Sequence, residues 1–450
     1  MNIHFIAIGG KVMHALAVAL KKRGFRVSGS DDAIFDPSAS RLKAHSLYPE
    51  SVGWFPEKIT ESLDAVILGM HAQTDNPELQ KAQGLGLPIY SFPEYLFEQS
   101  KNKKRVVVAG SHGKTTITSM IMHVLGQTEL DFNYMVGGEV QNFELPIRLS
   151  EDAPVMLFEG DEYLTSRIDL RPKFLHYHHS LAVISGLAWD HVNVYPTYES
   201  YQKAFRDFIA QTPADGKVFW SKDDAKLAEI IPQGDARFIP YQAPESVVKA
   251  EGTYLPHEGK EIPLRVFGSH NLQNIGAAKA ICMELGVSEG TFYEAISTFV
   301  GAGQRLEKIK ETKDMIAFRD YAHAPSKWQA TTKAVREQYP DRHLVAILEL
   351  HTYSSLDSQF FSHFKDTLAA ADEVIIFCHA ENLKIKNREV PEQEAIREAF
   401  NVSNLRLVTD SEALALTLPN KLTQATSLLF MSSGSFANFR IKTYLDTLLA

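Results

Sequence analysis

Short apolar runs alternate with amphipathic stretches along most of this chain. IHFIAIG near the N-terminus gives way to helical spacing from about residue 12 to 23, then come FRVSGSD, a second helical stretch and DAVILGM. Strand and helix in strict alternation predict a parallel sheet covered by helices, a doubly wound unit over roughly the first hundred residues. TDNPELQKA predicts a helix start with Asp75 or Asn76 as its cap and Pro77 in the first turn. The charged run KNKKR predicts a linker, because VVVAG restarts the strand-to-helix pattern directly after it.

A second unit follows, with apolar strands at VVVAG, PVMLFEG and LAVISGL, a hairpin around GTYLPHEGKEIPLRVFG and a helix from about Asn271. GAGQR offers two glycines where a boundary or hinge fits. Beyond it MIAFRDYAH, HLVAILELH, EVIIFCH, LRLVTD and SLLFMSSGS are separated by helical stretches, which predicts a third α/β unit.

Composition narrows the class. A chain of 450 residues has room for roughly two to four domains, and 44% hydrophobic with 22% charged residues is ordinary globular usage. The formal net charge of -9 argues against a general nucleic-acid binder. MNIHFIAIGG enters a strand with no basic region before it, so no signal peptide is expected, and no apolar run reaches the roughly 18 residues of a membrane span. Cys282 and Cys378 are the only cysteines, which fits a reducing cytoplasm and leaves no disulfide scaffold or cysteine zinc site.

The chemistry concentrates at VVVAGSHGKTTITSM. A phosphate loop written G-x-x-x-x-G-K-[ST] and ending at Thr115 requires glycine at 108, where Val108 stands. What remains, Gly110, Ser111, His112, Gly113, Lys114, Thr115 and Thr116 between a strand and a helix, still suits phosphate. Backbone N–H groups at the helix start can face phosphate oxygens, Lys114 can meet the outer phosphates and Thr115 can offer its hydroxyl to magnesium. The alternative is a structural turn with a chance Gly-Lys-Thr. Gly9 and Gly10 also follow a strand, but AIGGKVMHA lacks the full dinucleotide fingerprint, and a plain turn competes with ligand binding there.

Other candidates gather around this loop in sequence order. FEGDEY places Glu159, Asp161 and Glu162 at a strand end, where an α/β sheet presents ligands, although plain loops are acidic too. WDH adds His191 as a further ligand. GSHNLQN opens a helix with His270, Asn271 and Asn274, whose amides can read adenine or simply cap the helix. Arg305 can reach a phosphate or form a surface ion pair. In RDYAHAP, Asp320 can accept from ribose hydroxyls and His323 can contact phosphate or substrate, and structural roles compete for both.

In this order the segments resemble the Mur ligases of peptidoglycan synthesis. GSHGKTT is similar to the family's phosphate loop, and EGDEY, WDH, GSHNLQN, GQR and DYAHAP fall at its expected positions across the whole chain. The resemblance implies a three-domain α/β architecture, with an N-terminal Rossmann-like domain for a UDP-sugar at 1–102, a central P-loop ATPase domain at 103–302 and a C-terminal Rossmann-like acceptor domain at 303–450. It implies ATP and Mg2+ as cofactors, Lys114 on the phosphates, Thr115 and Glu159 on a first magnesium and His191 on a second. It further implies His270, Asn271 and Asn274 on adenine, Arg305 on phosphate and Asp320 on ribose. Lys114, Glu159, His191 and His323 become the catalytic set, and Gly9, Gly10, Ser30 and Asp31 the UDP-sugar contacts. The γ-phosphate would pass to a carboxylate, and an amine would attack the acyl phosphate, a reaction that needs charge neutralisation where two anions meet. Several family members carry a carbamylated lysine beyond the metal histidine; here Phe205 lies near that place, and Lys203 is out of register.

HFIAIGG and MHA point to the branch that uses UDP-N-acetylmuramate as carboxyl donor. Lys11 and Val12 in the first loop, Tyr163, Glu349 and MSSGSFANF lean towards the recycled tripeptide L-alanyl-γ-D-glutamyl-meso-diaminopimelate as acceptor, with L-alanine as the alternative. No nucleic-acid or membrane partner is expected, and the enzyme is expected in the cytoplasm as a monomer or homodimer. From another class a non-catalytic ATP-binding regulator remains, and within the enzyme class a folylpolyglutamate-type ligase.

Overall fold

The computed structural model describes the chain apart from residues 139, 190, 192, 193, 353, 420, 421, 423, 449 and 450. It forms two compact units, Met1–Gln242 with Gly276–Phe292, and Ala243–Ile275 with Tyr293–Ala450.

In the first unit, strands β1 (Asn2–Ile6), β2 (Arg26–Ser30), β3 (Ala65–Leu68) and β4 (Ile89–Ser91) make a parallel sheet ordered β2-β1-β3-β4. Of the two predicted caps it is Asn76 that closes the helix Pro77–Gly84. Its side-chain oxygen accepts from the N–H of Glu78 (2.9 Å) and of Leu79 (3.1 Å), with Pro77 first in the helix, where no N–H is missed. The basic run at 101–105 is tied down rather than loose. Arg105 donates from Nε to the carbonyls of Tyr177 (3.0 Å) and His178 (2.9 Å), and from Nη1 to those of Ser100 (3.0 Å) and Lys101 (2.9 Å).

The second sheet of this unit holds β5 (Lys104–Ala109), β6 (Phe132–Met135), β7 (Ile147–Arg148), β8 (Val155–Glu159), β9 (Leu181–Ile184), β10 (Lys217–Ser221) and β11 (Phe238–Tyr241) in the order β11-β10-β9-β5-β8-β6-β7. Only the β6–β7 pair is antiparallel. Val106, Val107 and Val108 are fully buried, as a β-branched strand covered on both faces must be. The chain fills β6 and β8 on one side of β5 and then β9 on the other. The strand order therefore reverses at β5, and the crevice beyond its C-terminal end is where an open α/β sheet receives ligands.

Burial also leaves a pH signature. His179, just before β9, is 1% exposed, its ring 4.3 Å from that of Phe208 and its Nε2 3.0 Å from the Thr212 hydroxyl. Desolvation, helped by His178 and Arg105, lowers its pKa from 6.5 to about 3. Between those values the unfolded chain binds a proton that the folded one does not, so this stability is complete above the unfolded value and is lost as pH falls towards the folded one. On going from pH 7 to pH 5, urea unfolding should show the wild type losing about 2 kcal/mol more than His179→Leu; equal losses would refute the assignment.

The second unit carries a small antiparallel sheet of β12 (Val247–Lys249), β13 (Gly252–His257) and β14 (Lys260–Pro263). The predicted hairpin is β13–β14, turning through Glu258 (φ 48°) and Gly259 (φ 74°), the left-handed pair that a two-residue turn demands. Its larger sheet comprises β15 (Glu307–Glu311), β16 (Met315–Asp320), β17 (His343–Glu349), β18 (Glu373–Phe377), β19 (Leu405–Val408) and β20 (Thr426–Met431), ordered β15-β16-β20-β17-β18-β19 and parallel except for β15. β20, last in sequence, inserts between β16 and β17, so the ends bearing Asp320 and Glu349 flank Met431. Among the described residues no helix is long and apolar enough to cross a membrane.

Candidate functional site

The loop after β5 occupies the crevice at the strand-order reversal, and its backbone explains the glycine pattern. Val108 is still inside the strand, opposite Glu159 of β8 and Val183 of β9, so no glycine is required there. Glycine is required at Gly110, where φ is 120° and a Cβ would lie 2.3 Å from the Ser185 hydroxyl oxygen and 2.6 Å from its backbone nitrogen. It is required again at Gly113, left-handed with φ 69°, which begins the helix Lys114–Leu125 with no side-chain cap, the arrangement in which an anion can act as the cap. Ser111 and His112 brace the loop: the Ser111 N–H donates to the Gly186 carbonyl at 3.0 Å, the Ala188 N–H donates to the Ser111 hydroxyl at 2.9 Å, and the Ser185 hydroxyl donates to the His112 carbonyl.

The side chains of the helix's first turn divide two carboxylates between them. Lys114 Nζ lies 2.8 Å from the Gly110 carbonyl and 2.7 Å from Glu162 Oε2. The Thr115 hydroxyl donates to Glu159 Oε1 at 2.7 Å, and the Gly137 N–H donates to Glu159 Oε2 at 2.6 Å. Thr116, next along, is buried. Glu162 is fully buried; its Oε1 lies 3.4 Å from His191 Nε2 and accepts from the Tyr201 hydroxyl at 3.3 Å. Burial works to raise the Glu162 pKa, but the Lys114 ammonium and then His191 outweigh it and hold the carboxyl below the usual range.

Thr115 with Glu159, expected on one magnesium, and His191, expected on another, lie in separate groups of side chains. Thr115 pairs with Glu159, whereas His191 clusters with Asp161 and Glu162, ligand atoms of all three lying within 4.8 Å of one another. Glu162, a candidate in FEGDEY to which the sequence assigned no role, is the carboxylate that meets both Lys114 and His191. FEGDEY shows three carboxylates, and strand alternation stops at Glu159, the last residue of β8, so no pattern separates them. Asp190 of the WDH segment lies outside the described residues.

The second unit brings Arg305, Asp320 and His323 together around Tyr321. The Arg305 guanidinium carbon lies 4.3 Å from the Tyr321 ring centre, and the His323 ring is edge-on to it at 5.2 Å, with Nδ1–H donating to the Tyr321 carbonyl at 2.8 Å. Asp320, 7% exposed, accepts from the Thr331 hydroxyl at 2.6 Å, and its burial raises its pKa, with Thr331 and Arg305 opposing. Asn271 donates from its side-chain nitrogen to the Phe267 carbonyl at 2.9 Å, a local bond at the start of the helix Ser269–Glu284. Asn274 is buried, and burial lowers the His270 pKa to about 4.

At the first sheet, the Gly9 N–H donates to Asp31 Oδ2 at 2.6 Å, and Gly10 follows on the same turn. Ser30 is fully buried and its carbonyl accepts from the N–H groups of Ala7 (2.9 Å) and Ile8 (3.1 Å), so it shapes this turn rather than presenting a surface to a ligand.

Comparison with known proteins matches this order of parts. Residues 2–104 match the Mur ligase family catalytic domain, 108–282 the Mur ligase middle domain and 304–434 the Mur ligase glutamate ligase domain. The chain belongs to the Mur ligase family. It is an ATP-dependent, amide-bond-forming ligase of peptidoglycan synthesis with the three-domain α/β architecture of that family. It is 31% identical over 446 residues to the UDP-N-acetylmuramate–L-alanine ligase of Sulfurihydrogenibium sp. (strain YO3AOP1), covering 96% of this chain and 95% of that one. Its fold is similar to the UDP-N-acetylmuramate–alanine ligase of Thermotoga maritima (TM-score 0.72, 22% identity, 99% and 100% of the two chains). It is also similar to the murein peptide ligase of Psychrobacter arcticus (TM-score 0.66, 22% identity, 100% and 98%).

The L-alanine ligases among these relatives overturn the expected tripeptide acceptor, since the chain matches one of them in sequence over nearly its whole length. Two of the residue signals behind that expectation have a reason within the fold. Glu349, 4% exposed, accepts from the Phe436 N–H at 2.9 Å and from the Ser432 hydroxyl. It thereby anchors the MSSGSFANF turn, in which Phe436, Ala437 and Asn438 all have φ between 50° and 63°. Glu349 and this turn hold each other in place, which is no mark of a large acceptor.

Proposed function

We propose that the ligase joins the carboxylate of UDP-N-acetylmuramate to the amine of L-alanine and converts ATP to ADP and phosphate through an acyl phosphate. The observation that carries the phosphoryl transfer is Lys114, held between the Gly110 carbonyl and Glu162 at the head of the phosphate-loop helix beside the Thr115–Glu159 pair, and the L-alanine acceptor is supported by the likeness to the L-alanine ligases. Lys114 turns to the outer phosphates of ATP when the nucleotide binds, drawing charge from the migrating phosphoryl group. Gly110 to Thr116 cradle the phosphates with backbone N–H groups. A hydroxyl and a carboxylate oxygen 2.7 Å apart suit the oxygen preference of Mg2+, so Thr115 and Glu159 would hold it. Glu162 and His191 offer a second pair of donor atoms. Bound there, Mg2+ supplies neutralisation of the phosphate charge.

His270, Asn271 and Asn274 serve the adenine, Asp320 the ribose, Arg305 the phosphates and His323 the phosphate or acceptor. Gly9, Gly10 and Asp31 sit on the UDP-sugar side, Ser30 behind them. The domains divide at 1–102, 103–302 and 303–450, and the enzyme works in the cytoplasm, where ATP is available. Phosphate release with ATP, Mg2+ and UDP-N-acetylmuramate tests the acceptor. Turnover should appear on adding L-alanine, and turnover with the tripeptide alone would sink the L-alanine assignment.

A further inference from the structure

The family's lysine carbamate has no counterpart on the helix Tyr198–Ala210. Phe205 is fully buried there, its ring edge-on to Phe174 (5.3 Å between centres) and to Tyr201 (5.2 Å). Lys203 is exposed and pairs with Asp207 at 2.6 Å. Phe205 therefore fills an aromatic core and Lys203 faces water, and neither supplies an anionic ligand.

The residue before Phe174 supplies an ammonium instead. Lys173 opens the short helix Lys173–Tyr177, with its side chain 12% exposed and its Nζ 2.6 Å from Asp161 Oδ2. It packs over the rings of Tyr163 (5.5 Å) and Phe92 (5.8 Å). Two backbone bonds pin the partners in register: the Lys173 N–H donates to the Tyr163 carbonyl and the Phe174 N–H to the Asp161 carbonyl, both at 3.0 Å. Asp161 is the third member of the cluster that holds Glu162 and His191. A cation bound by this cluster must take Asp161 from an ammonium that burial and two rings hold in place, against the charge of that ammonium and of Lys114.

We propose that Lys173 is a positioning residue that withholds Asp161 from divalent metal, so that among the described residues the second cation position keeps only Glu162 and His191 as protein donors. The proposal rests on Thr115 and Glu159 being the first metal position. A second metal then depends on the bound phosphates for its remaining ligands.

Mn2+ titration of the full-length protein, with free Mn2+ read by electron paramagnetic resonance in the presence and absence of a non-hydrolysable ATP analogue, tests this. Lys173→Met should tighten the second Mn2+ site by about tenfold or more, Lys173→Arg should match the wild type, and adding Asp161→Asn to Lys173→Met should return the site to its original weakness. Asp161→Asn alone, which does not depend on Lys173→Met folding, should leave second-site affinity unchanged. Weakened Mn2+ binding in Asp161→Asn, or no tightening in a folded Lys173→Met, would overturn the proposal while a first site lost in Glu159→Gln still stood. A wild type that binds no Mn2+ with the analogue would instead remove the phosphate-loop reading itself, and this proposal with it.

Discussion

Replacing Lys114 with methionine should lower phosphate release on the order of 10³-fold, the scale of losing a charged donor aimed at a transferring phosphoryl group. No other described lysine holds this place: Nζ meets both the Gly110 carbonyl and Glu162, so it is already aimed at the crevice beyond β5 before nucleotide arrives. Lys114→Arg should rescue little, because a planar fork does not fit a point contact between one carbonyl and one carboxylate oxygen. Steady-state kinetics with saturating UDP-N-acetylmuramate and L-alanine, together with circular dichroism to confirm folding, check the result. A folded Lys114→Met enzyme that keeps a tenth or more of wild-type turnover would exclude the phosphate role.

The second large effect falls on stability. Glu162→Ala should cost about 3–5 kcal/mol, the range for removing one partner of a buried ion pair and leaving the other uncompensated. Glu162 is fully buried and the Lys114 side chain is 16% exposed, and the Tyr201 hydroxyl and His191 lose a partner as well. Glu162→Gln keeps the shape and one acceptor oxygen and should cost less. Urea unfolding at pH 7 measures both. A Glu162→Ala loss below about 1 kcal/mol would mean that solvent screens this pair as it screens a surface one. Because Glu162→Ala also frees Lys114 from its resting position, nucleotide affinity and stability should respond in opposite proportions in Glu162→Gln and Lys114→Met, and this separates the folding role of the pair from its role on phosphate.

Much was legible along the chain because it depends on near neighbours. The valine run of β5, the glycines at 110 and 113, a helix cap at Asp75 or Asn76 and the β13–β14 hairpin all follow from backbone freedom and burial over a few residues. Alternation of strand and helix sufficed for the α/β class and for the placing of loops at strand ends. The missing glycine at 108 was legible in hindsight of the strand alone: a residue paired on both edges does not need one.

What only the tertiary structure decided is which charges meet. Glu159, Asp161 and Glu162 lie within four positions of sequence, yet they face Thr115, Lys173 and Lys114 respectively, since the chain leaves β8 at Glu159 and turns through Gly160 before a short helix returns Lys173 to Asp161. Likewise Glu349 and Ser432 are far apart in sequence and become neighbours because β20 inserts beside β17. Hydrophobic period and turn chemistry act over a turn or a strand, so one sequence determines its elements locally. Charge pairing acts at a few ångströms across strands that are distant in sequence, so the site's electrostatics exist only once the sheet order is set.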